Sequence, residues 1–261
     1  MNGDALDIVA RFPIGAALDY TAVVIFALTG ALVASRQQLD LVGFIFIAAL
    51  TAVGGGTLRD LLLGRDPVFW VGQPQYILLA AASAIIVFFT AHLLESRYRT
   101  LLWLDAAALS VAVPAGVAVT MATGHGPIIV LIMGVVTGTF GGLMRDVVCN
   151  EVPLVIKQGE LYLSCAFAGA AAALIAAQLT DQSLIALLIC AGVTFALRAG
   201  TLLFGWSLPV CYVISSLVII PLVTHGITLI SRLQTWTQPL WLGLWVLPFI
   251  AVAWHKPEAY V

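Results

Sequence analysis

Seven stretches of the chain are each long and apolar enough to cross a lipid bilayer, and this feature restricts the possible folds more than any other. A membrane span requires about 20 mostly apolar residues. Stretches of this kind run over 17–35, 41–63, 76–95, 101–122, 127–148, 161–179 and 183–204. Because lipid cannot hydrogen-bond to the backbone, spanning segments of this composition must form α-helices. The sequence therefore predicts an all-α, polytopic membrane protein.

The composition agrees with this prediction and excludes several classes of protein. Of the 261 residues, 62% are hydrophobic and only 9% are charged, whereas a soluble domain carries about 25% charged residues. Eleven Lys and Arg against thirteen Asp and Glu give a net charge of −2, so no basic surface indicates a nucleic-acid partner. No catalytic motif occurs in a plausible context, and the four cysteines have no short ligand spacing. We therefore expect no enzyme activity, no cofactor and no metal.

An internal repeat relates the first three spans to the next three. A shift of 86 residues, without a gap, aligns GGTLRD at 55–60 with GGLMRD at 141–146. Because each copy has three spans, an odd number, the copies must lie in opposite orientations. Inverted repeats of this kind are characteristic of membrane proteins that move solutes. The predicted parts are a polar N-terminal segment (1–16), a first repeat (17–95), a second, inverted repeat (101–179), a seventh helix (183–204) and a Trp-rich apolar extension (205–261) with room for two more helices.

Glycine clusters lie near the middle of the second and fifth spans. The first cluster is Gly54, Gly55 and Gly56, and its repeat equivalent contains Gly141 and Gly142. Successive glycines weaken an α-helix by about 1 kcal/mol each relative to Ala. A break or kink is therefore expected at each cluster, and close packing between helices is the alternative interpretation.

An Arg-Asp pair follows each glycine cluster about one helical turn later. A charge inside the bilayer costs at least about 2.5–3.5 kcal/mol on insertion scales. We therefore expect Arg59, Asp60, Arg145 and Asp146 to face protein or water. These charges either line or gate an aqueous path, or they only stabilise the fold or set the membrane topology. Our hypothesis for their pairing crosses the repeats: Arg59 with Asp146, and Arg145 with Asp60.

Asp19 and Asp105 occupy equivalent positions at the starts of the first and fourth spans. A carboxylate near a helix N-terminus is most simply a cap and a partner for the helix dipole. A cation-attracting role at the mouth of a pore is the alternative.

The loop charges predict the orientation of the chain, because Lys and Arg are more frequent in cytoplasmic loops. The loops opposite the N-terminus carry Arg36, Arg97, Arg99 and Lys157, and those on its own side carry Arg11 and Arg65. The N-terminus is therefore predicted to lie outside, in a multi-pass protein of the cell (inner) membrane.

Three segments resemble one known family. GGGTLRDLLLGRDPVFW, GTFGGLMRDVVCNEVPLV and FALRAGTLLFGWSLP are similar to the prokaryotic branch of the trimeric intracellular cation channel family, also catalogued as a glycine transporter domain family. The resemblance covers about residues 15–209. It implies a 3 + 3 inverted-repeat bundle plus a seventh helix, and a homotrimer with a separate K⁺- and Na⁺-conducting pore in each protomer. It also implies pore walls formed by the second and fifth helices, kinked and gated at their glycines.

Two features depart from that family. The phosphoinositide-binding Lys-Glu-Val motif of the animal members has no counterpart at the end of the second helix, so no such lipid site is predicted. The apolar extension continues past the usual end of the family.

The first hypothesis for the function is a passive monovalent cation channel embedded in membrane lipid. The alternatives are a transporter of a small amino acid such as glycine, and a membrane scaffold that moves no solute.

Overall fold

A computed structural model describes residues 14–93, 96–157, 161–179 and 183–205. Seven helices in these ranges are long and apolar enough to cross a membrane. They are α1 (Ile14–Arg36), α2 (Leu41–Leu62), α3 (Gln75–Thr90), α4 (Arg97–Ala122), α5 (Pro127–Val148), α6 (Tyr162–Leu179) and α7 (Ser183–Phe204). Single helical turns lie at Phe69–Gly72 and Ala91–Leu93, and the described ranges contain no strand. The prediction of an all-α polytopic fold is confirmed.

The chain divides into two units, Met1–Ser207 and Leu208–Val261, and every described residue belongs to the first. The predicted N-terminal segment (1–16) lies almost entirely outside the described residues. The predicted extension (205–261) does so as well, and its two possible helices stay a prediction.

Local sequence sets the ends of the two glycine-containing helices. Asp40 caps α2, because its Oδ1 accepts a hydrogen bond from the backbone N–H of Gly43 at 2.8 Å. Pro127 opens α5 at a position where its missing N–H is not needed. Directly after the two helices, the repeat-equivalent residues Gly64 (φ +64°) and Asn150 (φ +52°) take the left-handed backbone that ends many helices.

Four helices form the centre of the bundle, and their contacts recur between the repeats. Within the repeats, α1 packs on α2 and α4 packs on α5; between them, α1 packs on α4 and α2 packs on α5. Helix α3 packs on α1 and α2, and α6 packs at the equivalent place on α4 and α5. Helix α7 packs against α4 and α6. The 3 + 3 inverted repeat with an added seventh helix is therefore confirmed.

The outward faces of the helices are apolar, as a lipid environment requires. Val42, Leu78 and Ile128 are 72%, 68% and 75% exposed. Inside the bundle, one cluster of buried apolar residues comes mainly from α1 to α3 and another mainly from α4 to α7. Each repeat thus has its own packed core, and the polar side chains described below lie between the central helices.

Candidate functional site

Helices α2 and α5 cross in direct backbone contact at two glycines. A Cβ atom on Gly55 would collide with the carbonyl oxygen of Thr137, and one on Gly141 would collide with the carbonyl oxygen of Thr51. The 86-residue shift relates these two contacts to each other. Small residues let membrane helices approach closely, and here any larger residue would force the two helices apart. We call this contact the glycine crossing.

Both helices continue without interruption through their glycines, so the prediction of a break is wrong. The hydroxyls of Thr51 and Thr137 donate to the carbonyls of Ile47 and Met133, four residues earlier, at 2.6 Å each. This is the usual bond of a threonine inside an intact helix. The close-packing interpretation describes the crossing, because backbone contact there offsets the poor helix propensity of glycine. A kink at either cluster stays a prediction.

The other glycines of the clusters contact side chains. A Cβ on Gly54 would lie 3.1 Å from the Sδ of Met144, and Gly56 lies under the ring of Phe69. Gly142 faces a group of polar side chains in the second repeat. A Cβ on Gly54 would also lie 3.5 Å from the Cα of Gly141, but within the two clusters only Gly55 and Gly141 contact a backbone carbonyl of the other helix directly.

Beside the crossing, the first repeat buries a network around Arg59, whose side chain is fully buried. Its Nη1 and Nη2 donate to the two carboxylate oxygens of Asp19 at 2.8 and 3.2 Å, and its Nε donates to Asp60 at 2.8 Å. Arg65 also donates to Asp60, at 2.9 Å. The second oxygen of Asp60 accepts from the backbone N–H of Phe69 at 2.9 Å. The network therefore ties the α2–α3 loop to the helices.

The second repeat builds an equivalent network around Arg145, which is also fully buried. Its Nη1 donates to Asp105 at 3.0 Å and its Nε donates to Asp146 at 2.8 Å. Asp146 in turn accepts from the backbone N–H of Leu154 at 3.0 Å. Nη1 of Arg145 also donates to the hydroxyl of Thr29 on α1, at 3.0 Å. Pairing and hydrogen bonding of this kind are what allow charges to be buried.

The hypothesis of cross-repeat pairing is wrong. Arg59 and Arg145 each bond to carboxylates of their own repeat, because α1 packs on α2 and α4 packs on α5. The cap interpretation is wrong as well. Asp19 lies in the second turn of α1, and Asp105 lies in the third turn of α4, whose N-cap is Ser96. Both carboxylates are partners of a buried guanidinium.

A cavity of about 740 Å³, which we call the vestibule, lies on the Asp19 side of the first network. Its polar lining residues are Asp19, Arg65, Gln73, Tyr76, Thr123 and Ser183. A second cavity, of about 10 Å³, lies at the glycine crossing between Gly55 and Thr137. Asp19 and Phe69 line both cavities, so these two residues stand between the vestibule and the crossing.

The first network is electrically balanced, since two carboxylates bond to two guanidinium groups. Asp19 is 8% exposed and meets the vestibule, whereas Arg59 behind it is 0% exposed. In the part of the chain that the structure describes, no group of three or more His, Cys, Asp or Glu could hold a metal ion. Asp19 is therefore the carboxylate through which the first network meets the vestibule.

At the other end of α1, side chains bridge to the loop that follows α5. Glu151 accepts from Arg36 at 3.0 Å and from Gln37 at 3.1 Å. Arg36 lies over the ring of Tyr98, 5.0 Å from its centroid, and the Tyr98 hydroxyl accepts from Lys157 at 2.7 Å. These contacts join α1, α4 and the α5–α6 loop. We call them the loop bridge.

Four residues of these networks were not predicted from the sequence: Thr29, Phe69, Tyr98 and Glu151. None of the four has the same residue type at its repeat-equivalent position, and only Tyr98 has another aromatic residue there. The repeat therefore gives no signal for them. The partnership of Asp19 with Arg59 did have a usable signal. The same spacing of 40 residues separates the aspartate and the arginine in both repeats.

The fold and its polar interior define a class: a multi-pass membrane protein in which two inverted three-helix units meet around buried charges and cavities. The chain belongs to the glycine transporter family, whose model matches residues 16–92 and 102–178, one match in each repeat. This is also the family of the trimeric intracellular cation (TRIC) channels, so the resemblance inferred from the motifs is confirmed. It is not a family of enzymes.

Curated relatives are named as membrane proteins. A UPF0126 membrane protein of Vibrio cholerae is 34% identical over 197 residues, which cover 74% of this chain and 80% of that protein. The UPF0126 inner membrane protein YadS of Escherichia coli K12 is 36% identical over 156 residues, covering 58% and 73%.

Solved structures with the same fold are described as channels. The TRIC trimeric intracellular cation channel orthologue from Rhodobacter sphaeroides is 44% identical, with a TM-score of 0.72, over 75% of this chain and 100% of that one. A prokaryotic TRIC channel crystallised in 0.5 M KCl is 26% identical, with a TM-score of 0.69, over 75% and 98%.

Proposed function

We propose that this chain is a channel for the monovalent cations K⁺ and Na⁺, with one pathway in each protomer of a homotrimer. The observation that carries the proposal is the series formed by the vestibule, the Asp19 carboxylate and the small cavity at the glycine crossing. The likeness to solved cation channels, one of them described as trimeric, supports it.

The carboxylate of Asp19 gives the vestibule a point of contact for a cation. Its inner end presents the carboxylate of Asp19, while the guanidinium that balances this charge is fully buried. Arg65 is the basic side chain of the lining, and its Nη1 is held by Asp60. Carboxylates at a pore mouth attract cations, and oxygen atoms that line the pore replace part of the hydration shell of each cation. Thr137 lines the small cavity and, with Thr51, offers oxygen atoms at the crossing.

The glycine crossing is the gate in this proposal. A cavity of about 10 Å³ holds one water molecule at most, so conduction requires α2 and α5 to separate at Gly55 and Gly141. Gly54, Gly56 and Gly142 flank the contact, and their lack of side chains lets each helix bend there.

We further propose that the protein lies in the cell (inner) membrane, with its N-terminus outside. The loop bridge contains Arg36 and Lys157, and the nearby Arg97 donates to the carbonyl of Ser35. This end of the bundle is therefore richer in basic side chains than the vestibule end, which favours a cytoplasmic location for it. A membrane-impermeant label directed at the N-terminus of intact cells would test this orientation.

The channel proposal is tested by recording purified protein in a planar lipid bilayer under a tenfold KCl gradient. We expect unitary current steps that reverse at about 59 mV in magnitude, the value for a cation-selective pore under this gradient. Replacing K⁺ by Na⁺ on one side should preserve the current. The variant Gly141→Ala forces the crossing apart and should change the open probability. Its control is Gly192→Ala, because a Cβ there meets open space.

The other hypotheses make different predictions in the same preparation. A transporter would give a silent bilayer together with saturable uptake of labelled glycine into liposomes. A scaffold would give neither current nor uptake. Either result would refute the channel.

A further inference from the structure

Three buried polar atoms of the second repeat make no hydrogen bond of ordinary geometry with the described residues, although the hydroxyl of Tyr162 is close enough to Asp105 to interact with it. They are Oδ2 of Asp105, Nη2 of Arg145 and the hydroxyl of Tyr162. The three residues are 0%, 0% and 2% exposed. Buried polar atoms are nearly always hydrogen-bonded, and each exception in a native protein requires a physical explanation.

The three side chains converge on Gly142. A methyl group placed on this glycine would lie 3.6 Å from Nη2 of Arg145, 3.6 Å from the hydroxyl of Tyr162 and 3.7 Å from Oδ1 of Asp105. These are ordinary van der Waals distances, so a group of about the size of a methyl fits beside the polar atoms without a collision. Arg198 of α7 lies over the ring of Tyr162, 5.1 Å from its centre.

The first repeat fills the equivalent space with an aromatic ring. A Cβ on Gly56 would lie 2.6 Å from the ring of Phe69, and this ring also lies 5.6 Å from the guanidinium carbon of Arg59. The residue equivalent to Phe69 in the second repeat is Val155, which has a smaller side chain. The two halves are therefore built differently at this point.

The chemistry of the three atoms restricts what can occupy the space. Nη2 of Arg145 only donates, Oδ2 of Asp105 only accepts, and the hydroxyl of Tyr162 does both. A bare cation would be repelled by the guanidinium, and a bare anion by the carboxylate. The ligand must be small, neutral, and able to donate and accept at once.

We propose that this site binds a water molecule, which accepts from Arg145 and donates to Asp105 and Tyr162. Three hydrogen bonds are the usual number for a buried water. The water completes the coordination of the second network, as the ring of Phe69 completes the packing of the first. This inference does not depend on whether the protein conducts ions.

The test is X-ray radiolytic labelling of the full chain in lipid nanodiscs, read by mass spectrometry. A bound water is converted to hydroxyl radical in place and oxidises the side chain beside it. We expect Tyr162 to be labelled several times faster than Phe44, which is 4% exposed and packs against the ring of Phe88. Gly142→Ala places a methyl group in the space and should abolish the excess labelling. Gly192→Ala is the matched control and should leave it unchanged.

Two outcomes would overturn the proposal. Equal labelling of Tyr162 and Phe44 would mean that the hydroxyl of Tyr162 bonds directly to Asp105 and no water is held. Rapid labelling that survives Gly142→Ala would place the water elsewhere. If both glycine variants reduced labelling, the Tyr162→Phe variant would decide: a bound water keeps oxidising the phenylalanine ring, and loss of that signal would refute the site.

Discussion

The bond between Arg59 and Asp19 gives the sharpest stability prediction. Asp19→Asn keeps the shape of the side chain but removes its charge, so Arg59 retains only Asp60 as a charged partner. Removing one member of a buried ion pair costs about 3–5 kcal/mol. Because Asp60 remains and the new amide oxygen still accepts one bond, we expect about 2 kcal/mol, in the range of a charged hydrogen bond. That is about a 30-fold change in the unfolding equilibrium.

The assay is SDS titration in mixed micelles, with unfolding followed by tryptophan fluorescence. Asp40→Asn is the matched control: Asp40 is an exposed N-cap, and Asn caps helices about as well as Asp. A double-mutant cycle with Arg59→Met should give a coupling energy of about 1–3 kcal/mol for Asp19. Coupling that is larger between Arg59 and Asp146 than between Arg59 and Asp19 would refute pairing within the repeat.

Three further predictions use the same titration. Gly55→Ala should cost about 1–3 kcal/mol, the usual cost of overpacking, while Gly192→Ala stays within about 0.5 kcal/mol; equal effects would contradict the backbone contact at the crossing. Glu151→Gln should cost less than about 1 kcal/mol, because its partner Arg36 is 30% exposed, and 1 M salt should remove the difference. Thr29→Val should cost about 1–3 kcal/mol by depriving the second buried guanidinium of an acceptor; a neutral result would argue against that bond.

The positions of the spans could be predicted because the bilayer imposes a length and a composition on each. Helices α5 and α7 begin and end where the apolar pattern predicts them, at 127–148 and 183–204. The inverted repeat could be predicted because identical residues recur at a constant spacing of 86 positions. Both inferences rest on constraints that act along the chain.

The partners of the charges could not be predicted in the same way. The sequence predicts that Arg59 and Asp60 lie inside the bilayer, but it does not predict which helix each side chain faces. That depends on how α1 packs on α2. The helices continue through their glycines for a related reason. Helix propensity predicts a break at Gly55, but the carbonyl of Thr137 on α5 packs where a side chain of residue 55 would lie. Packing between helices outweighed local preference.

The glycine crossing has a consequence for how such a molecule could arise. Gly55 meets Thr137 while Gly141 meets Thr51, so the same patch appears on both sides of the contact. This is the property of an isologous interface, which is self-complementary under a two-fold axis. A free three-helix unit, inserted into the bilayer in both orientations, would present that patch to its own copy. Fusion of two such copies then fixes their ratio at one to one and leaves each free to diverge, as Phe69 and Val155 have done.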